Sequence, residues 1–132
     1  MLLPIYIIDA FTDKVFKGNP AAVIPLDNKL DSKIMQAIAS ENNLSETAYV
    51  NISSAPFSIR WFTPTIEVDL CGHATLATAR VLFDFYLPEE TTEILFSSRS
   101  GELKAFKKEK LIHLDFPTDI PRPVSEKEEI AR

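Results

Sequence analysis

Residues 73–86 read as a helix with almost no polar face. Leu76, Ala77, Val81, Leu82, Phe83 and Phe85 cover most of its circumference. A helix that is apolar nearly all round is buried on most sides. Arg80 and Asp84 interrupt the run. It is also shorter than the about 20 apolar residues that span a bilayer. The rest of the chain must therefore enclose it, which calls for a layer that bends around a cylinder.

The remaining pattern supplies strands for such a layer. Residues 4–11 alternate weakly and are rich in Ile, so they read as a strand. Thr12-Asp13-Lys14 and Gly18-Asn19-Pro20 punctuate the chain, and residues 21–26 form a short apolar strand. Asp31 is placed to cap a helix over residues 32–41 with Ile34, Met35, Ile38 and Ala39 as its buried stripe. Asn42-Asn43 ends it, because Asn tolerates the left-handed conformation. Strands follow at 47–51 and 57–63, the second with Phe57, Ile59 and Trp61 on one face before Pro64 stops it. After the apolar helix come strands at 93–97, 102–107 and 111–116. In the last, Ile112, Leu114 and Phe116 face one way and Leu111, His113 and Asp115 the other. The expected class is α+β: a curved, mostly antiparallel sheet wrapped around one central helix. Residues 1–117 form this domain. Pro117, Pro121 and Pro123 mark a linker, and residues 126–132 begin a charged helix, so 118–132 read as a linker and the start of a truncated second domain.

Composition excludes several classes of function. The chain has 132 residues, which suits one core, and 45% of them are hydrophobic. The net charge is −5, and Lys and Arg form no basic patch, which argues against nucleic acid as a partner. Cys71 is the single cysteine, so no internal disulfide framework is present. The first ten residues lack a positive n-region and reach Asp9 quickly, so they do not read as a signal peptide. The expected compartment is the cytoplasm, with no membrane partner. No phosphate-binding Gly-rich loop is present, so no nucleotide cofactor is indicated.

The reactive groups gather where the apolar helix begins. Asp69-Leu70-Cys71-Gly72-His73-Ala74 brings a thiol, a glycine and an imidazole to a helix N-terminus. Backbone N–H groups there, with the positive end of the helix dipole, suit an anion such as a small carboxylate. His73 can transfer a proton or orient a carboxylate; its bland alternative is a ring bonded to nearby backbone. Cys71 can be an acid/base thiol, since a helix N-terminus lowers thiol pKa; its bland alternative is a buried, inert cysteine. Glu46 lies between a helix and a strand and, if desolvated, is a general acid or base; its bland alternative is a solvated surface glutamate. Asn19 could face a ligand or simply sit in a turn. No ligand pair has zinc spacing and His113 is alone on its strand, so no metal is expected.

Five blocks occur in order: Phe16-Lys17-Gly18-Asn19-Pro20-Ala21-Ala22-Val23, Leu44 to Val50, Arg60-Trp61-Phe62-Thr63-Pro64, Glu67 to Ala77, and Leu114-Asp115-Phe116-Pro117. This ordered set resembles the phenazine-biosynthesis PhzF-like family, whose fold is shared with diaminopimelate epimerase. The resemblance implies cofactor-independent isomerase chemistry on a small carboxylate such as dihydro-hydroxyanthranilate or an amino acid. It matches Glu46 to the family's acid/base glutamate and Gly72-His73 to its Gly-His motif. With Ala74, these residues would bind substrate, and Asn19 would line the same cleft. Cys71 falls where the epimerases carry a catalytic cysteine and takes a secondary role. Family members have two similar halves with the active site between them, so this chain corresponds to the N-terminal half. Its expected partner is the missing second half, or a second copy paired about a twofold axis. The rival expectation is a non-catalytic small-molecule-binding or interaction domain, inactive alone.

Overall fold

The computed structural model describes residues 3–9, 20–109 and 111–116. The strands are β1 (Tyr6–Asp9), β2 (Pro20–Leu26), β3 (Glu46–Asn51), β4 (Phe57–Phe62), β5 (Glu67–Val68), β6 (Glu93–Ser98), β7 (Gly101–Lys108) and β8 (Leu111–Asp115). The helices are α1 (Ser32–Asn42) and α2 (Gly72–Phe85). The strands form one sheet in the order β1-β2-β3-β4-β6-β7-β8, with β5 added beside β4. The β2–β3 and β4–β6 pairs are parallel and the other pairs are antiparallel. The expected class and architecture are therefore those observed.

Each parallel pair needs a crossover, and each crossover carries a helix. α1 links β2 to β3 and lies on the outer face; α2 links β5 to β6 and lies inside the curl. β2 is caught between them, which explains its unbroken apolar run. Ala21 and Val23 face α2, while Ile24 and Leu26 join Met35 and Ala39 of α1 in a second cluster. A strand buried on both faces has no reason to alternate.

The inner cluster is built around α2. Ala74, Leu76, Ala77, Ala79, Val81, Leu82 and Phe83 pack against Val50, Ile59, Trp61, Phe96, Leu103 and Ile112 from both ends of the sheet. α2 approaches β1, β2 and β3 on one side and β8 on the other, so the sheet wraps it. Thr75 and Thr78 are fully buried, yet their hydroxyls donate to Cys71 O and Ala74 O one turn back, both at 2.7 Å. The helix absorbs its own polar groups. Among the described residues, no helix is long and apolar enough to cross a membrane.

The helix ends follow local chemistry. Asp31 caps α1, its carboxylate accepting from Lys33 N–H at 2.7 Å. Asn43 stops α1 in the left-handed region at φ 53°, as the Asn pair predicted. Three details differ from the sequence reading. Phe85 is 64% exposed, its ring stacked on Tyr6 of β1 and not packed in the core. Ile34 is 41% exposed, so the buried stripe of α1 narrows to Met35 and Ala39, with Ile38 half-buried. The sequence also gave no sign of β5, whose two residues follow the tight turn after Pro64. The linker from Pro117, the charged segment 126–132, and Gly18-Asn19 lie outside the described residues.

Candidate active site

Glu46 opens β3, and Gly72 and His73 are the first two residues of α2. β3 and α2 start at the same end of the fold, so residues 27 positions apart in the chain become neighbours. His73 Nε2 stands 2.9 Å from Glu46 Oε1, and the side chains are only 10% and 18% exposed. Neither atom reaches solvent, yet the approach lies off the line that a good hydrogen bond needs. Loose alignment of this kind is common in catalytic pairs before substrate arrives.

The other ring nitrogen faces sulfur. His73 Nδ1 is 3.5 Å from Cys71 Sγ. Thiol, imidazole and carboxylate thus cluster at the start of α2. A neutral ring carries one proton, so one of its nitrogens donates and the other accepts.

Cys71 is the N-cap of α2, with extended backbone and no side-chain cap bond. Its carbonyl is the first intrahelical acceptor, taken by Thr75 N–H at 3.1 Å. The N–H groups of Gly72, His73 and Ala74 precede that first donor, so they have no carbonyl of the helix to bond. Ala74 is fully buried and packs in the inner cluster. The expected convergence of Glu46, Gly72 and His73 is observed at one end of the domain, with Cys71 beside them; Asn19 is outside the described residues.

Metal ligation requires a separate look. One oxygen of Glu46, Cys71 Sγ and one nitrogen of His73 lie within 4.8 Å of one another. Sequence spacing could not reveal this set, because Glu46 comes from a distant strand. A thiol, an imidazole and a carboxylate are ligand types that a zinc site uses, and the same three groups serve in acid/base chemistry.

Sequence reasoning missed the charged groups that brace this end. Glu67 accepts from Arg60 Nε and Nη2, both at 2.8 Å, which holds its carboxyl below the ordinary range. Arg99 reaches Glu67 and Asp69, both at 2.9 Å. The acidic residues of the Glu67 block were the only available signal, and their partners are set by the fold. A cleft of about 330 Å³ lies at the opposite end of α2, between Pro25, Leu30, Ile52 and Tyr86, and contains none of the acid/base residues.

Comparison with known proteins agrees with the geometry. Residues 8–132 match the family model described as phenazine biosynthesis-like protein. An uncharacterised isomerase of Pseudomonas aeruginosa is 52% identical over 123 residues, covering 93% of this chain and 47% of that protein. A phenazine biosynthesis-like domain-containing protein of Bos taurus is 54% identical over 125 residues, covering 89% of this chain and 43% of the relative. The crystal structure of a PhzF-family protein of Enterococcus faecalis superposes with TM-score 0.83 at 49% identity, covering 97% of this chain and 50% of that one. A predicted epimerase of Pseudomonas aeruginosa shares the fold, with TM-score 0.67 at 23% identity. The chain spans about half the length of the curated relatives it matches. It belongs to the phenazine biosynthesis-like, PhzC–PhzF family.

Proposed function

We propose that this chain is one half of a cofactor-independent isomerase that shifts a proton at carbon beside a carboxylate. The observation that carries the reading is the solvent-sealed approach of Glu46 Oε1 to His73 Nε2 at 2.9 Å, next to the start of α2. Glu46 takes the proton and returns it. His73 and the helix-start N–H groups hold the carboxylate, or polarise its neighbour as charge develops; preorganised donors of this kind usually supply the largest catalytic term. Cys71, beside the pair, is the second group able to take a proton. The isomerase name of the Pseudomonas aeruginosa relative supports the class of reaction. The second wall of the cleft comes from the remaining half of the protein, or from a second copy.

The test is deuterium uptake from heavy water into candidate small carboxylates. The chain alone supplies one wall of the cleft and shows little turnover. Co-expressed with the C-terminal half of a full-length relative, it exchanges. Glu46→Gln then lowers uptake by about 100-fold or more, the scale of a lost general acid–base group. Unchanged uptake in that variant would overturn the role of Glu46. A second reading, a non-catalytic anion-binding domain, draws on the N-terminus of α2, where the helix dipole favours an anion. It predicts carboxylate binding with no exchange in any combination of halves.

A further inference from the structure

We infer that Arg99 and Ser100, in the turn between β6 and β7, are positioning residues for the acid/base site. They grip the segment that leads into α2 and so fix where Cys71 and His73 stand against Glu46. The inference rests on reading Glu46 and His73 as one proton-transfer site.

The start of α2 is not held by its own cap, since Cys71 makes no side-chain cap bond. The strand before it is a weak anchor, because β5 pairs with β4 through two residues only. Two residues, Asp69 and Leu70, separate that strand from the cap. The missing restraint comes from the far hairpin. Arg99 Nη1 reaches Glu67 Oε1 and Nη2 reaches Asp69 Oδ1, both at 2.9 Å. Ser100 Oγ donates to Asp69 O at 2.8 Å. Glu67 is fixed from behind by Arg60, which also donates to Ser32 Oγ at the start of α1 at 3.0 Å. The chain of contacts therefore runs from α1 through β4 and β5 to the residues just before Cys71.

The fork shape matters. One planar guanidinium spans two carboxylates, whereas an ammonium on a flexible stem offers a single point of charge. Arg99 is 58% exposed and lies outside the core. Pairs this exposed contribute little to global stability. Their effect is local, on the two residues that join β5 to α2, whose Leu70 also packs on the inner cluster.

The protein offers an internal control. It has two histidines, and His113 sits apart, stacked on Phe106 with ring centroids 5.2 Å apart. The experiment compares the chain with Arg99→Ala, Arg99→Lys and Lys104→Ala, the last removing an exposed cation that faces Glu93 on the same sheet. The readouts are the ring resonances of both histidines, the alkylation rate of Cys71 by iodoacetamide, and amide exchange at Leu82 as the measure of global opening. Arg99→Ala shifts or broadens His73 while His113 stays put. It speeds Cys71 alkylation severalfold and leaves Leu82 exchange unchanged. Arg99→Lys keeps one contact and rescues only partly; Lys104→Ala does nothing. Asp69→Asn and Ser100→Ala are milder variants with the same expected direction, and they decide the matter if Arg99→Ala does not fold. Unmoved His73 with unchanged alkylation overturns the inference, as does movement of both histidines in step with Leu82. Turnover is not read, so the two proposals fail separately. A working clamp without deuterium uptake sinks the isomerase alone, and uptake in the completed enzyme with an indifferent His73 sinks the clamp alone.

Discussion

Leu82 and Phe85 look alike in the sequence, since both lie on the apolar circumference of one helix. The structure separates them, and so should a mutation. Leu82 is fully buried in the inner cluster, whereas Phe85 is 64% exposed. Leu82→Ala removes three carbons, a transfer loss of about 2.4 kcal/mol at roughly 0.8 per carbon. The enclosing sheet limits collapse into the gap, and a residual cavity brings the total to about 3–5 kcal/mol. That is a large share of the about 5–15 kcal/mol that holds a typical domain together. Phe85→Ala chiefly loses a ring stacked on Tyr6 at 5.4 Å. Such a pair contributes about 0.5–1.5 kcal/mol. Urea unfolding checks both, followed by circular dichroism and by the fluorescence of Trp61, the single tryptophan, which is buried in the same cluster. The reasoning is refuted if Leu82→Ala costs under about 1 kcal/mol, or no more than Phe85→Ala.

Glu67 should govern part of the acid limb. Hydrogen bonds from Arg60 lower its folded pKa below the ordinary 4.5, so its stabilisation is present above that value and fades as pH falls through and below it. Glu67→Gln should therefore lower the melting temperature most near neutrality, with the gap to the parent closing in acid; a gap independent of pH would contradict this. Tyr86 works in the opposite direction. Burial, then the hydrogen bond with the Tyr6 hydroxyl, raises it from 10.0 to about 12, so its stabilisation is complete below 10 and lost as pH climbs toward 12. Near-ultraviolet titration of the parent against Tyr86→Phe should show its tyrosinate only in that upper range; ionisation near 10 in the folded chain would refute burial as the cause. Asp31→Ala should cost about 0.5–2 kcal/mol through the lost cap, with Asp31→Asn retaining most of it; equal urea midpoints for Asp31→Ala and the parent would exclude a capping role.

Much of the fold was legible because its signals are local. Asp31 and Asn43 mark the ends of α1 by their own side-chain and backbone preferences. The apolar circumference of α2 forces a wrapped layer, and the alternation in β4 and β8 says which faces turn inward. Legibility ended where the cause lies elsewhere in the chain. Phe85 lies over Tyr6 of β1 and stays open to solvent, which its own neighbours in sequence do not encode. β5 is held by a turn and by Arg60, not by strand propensity. For the site, the helix start was visible as a cap position rich in reactive groups. The pairing of His73 with Glu46 was not, since no spacing rule links 27 residues across a crossover; ordered family blocks supplied it. Arg99 carried no signal, because its partners exist only once the β6–β7 hairpin folds back onto the segment before α2.

The parallel β4–β6 pair is two residues long, Phe57↔Phe96 and Ser58↔Ser97. Every other ladder falls on one side of it or the other. The sheet is thus a book of two leaves, β1–β5 and β6–β8, with a narrow spine. α2 is clasped between the pages, touching β2 and β3 in one leaf and β8 in the other. Side-chain packing on that helix, more than backbone hydrogen bonding across the spine, keeps the book shut. Glu46 belongs to one leaf, His73 to the clasped helix, and the Arg99 turn to the other leaf. The separation of Glu46 and His73 is therefore set by how far the book closes, and a methyl group lost deep between the pages would be felt at Glu46.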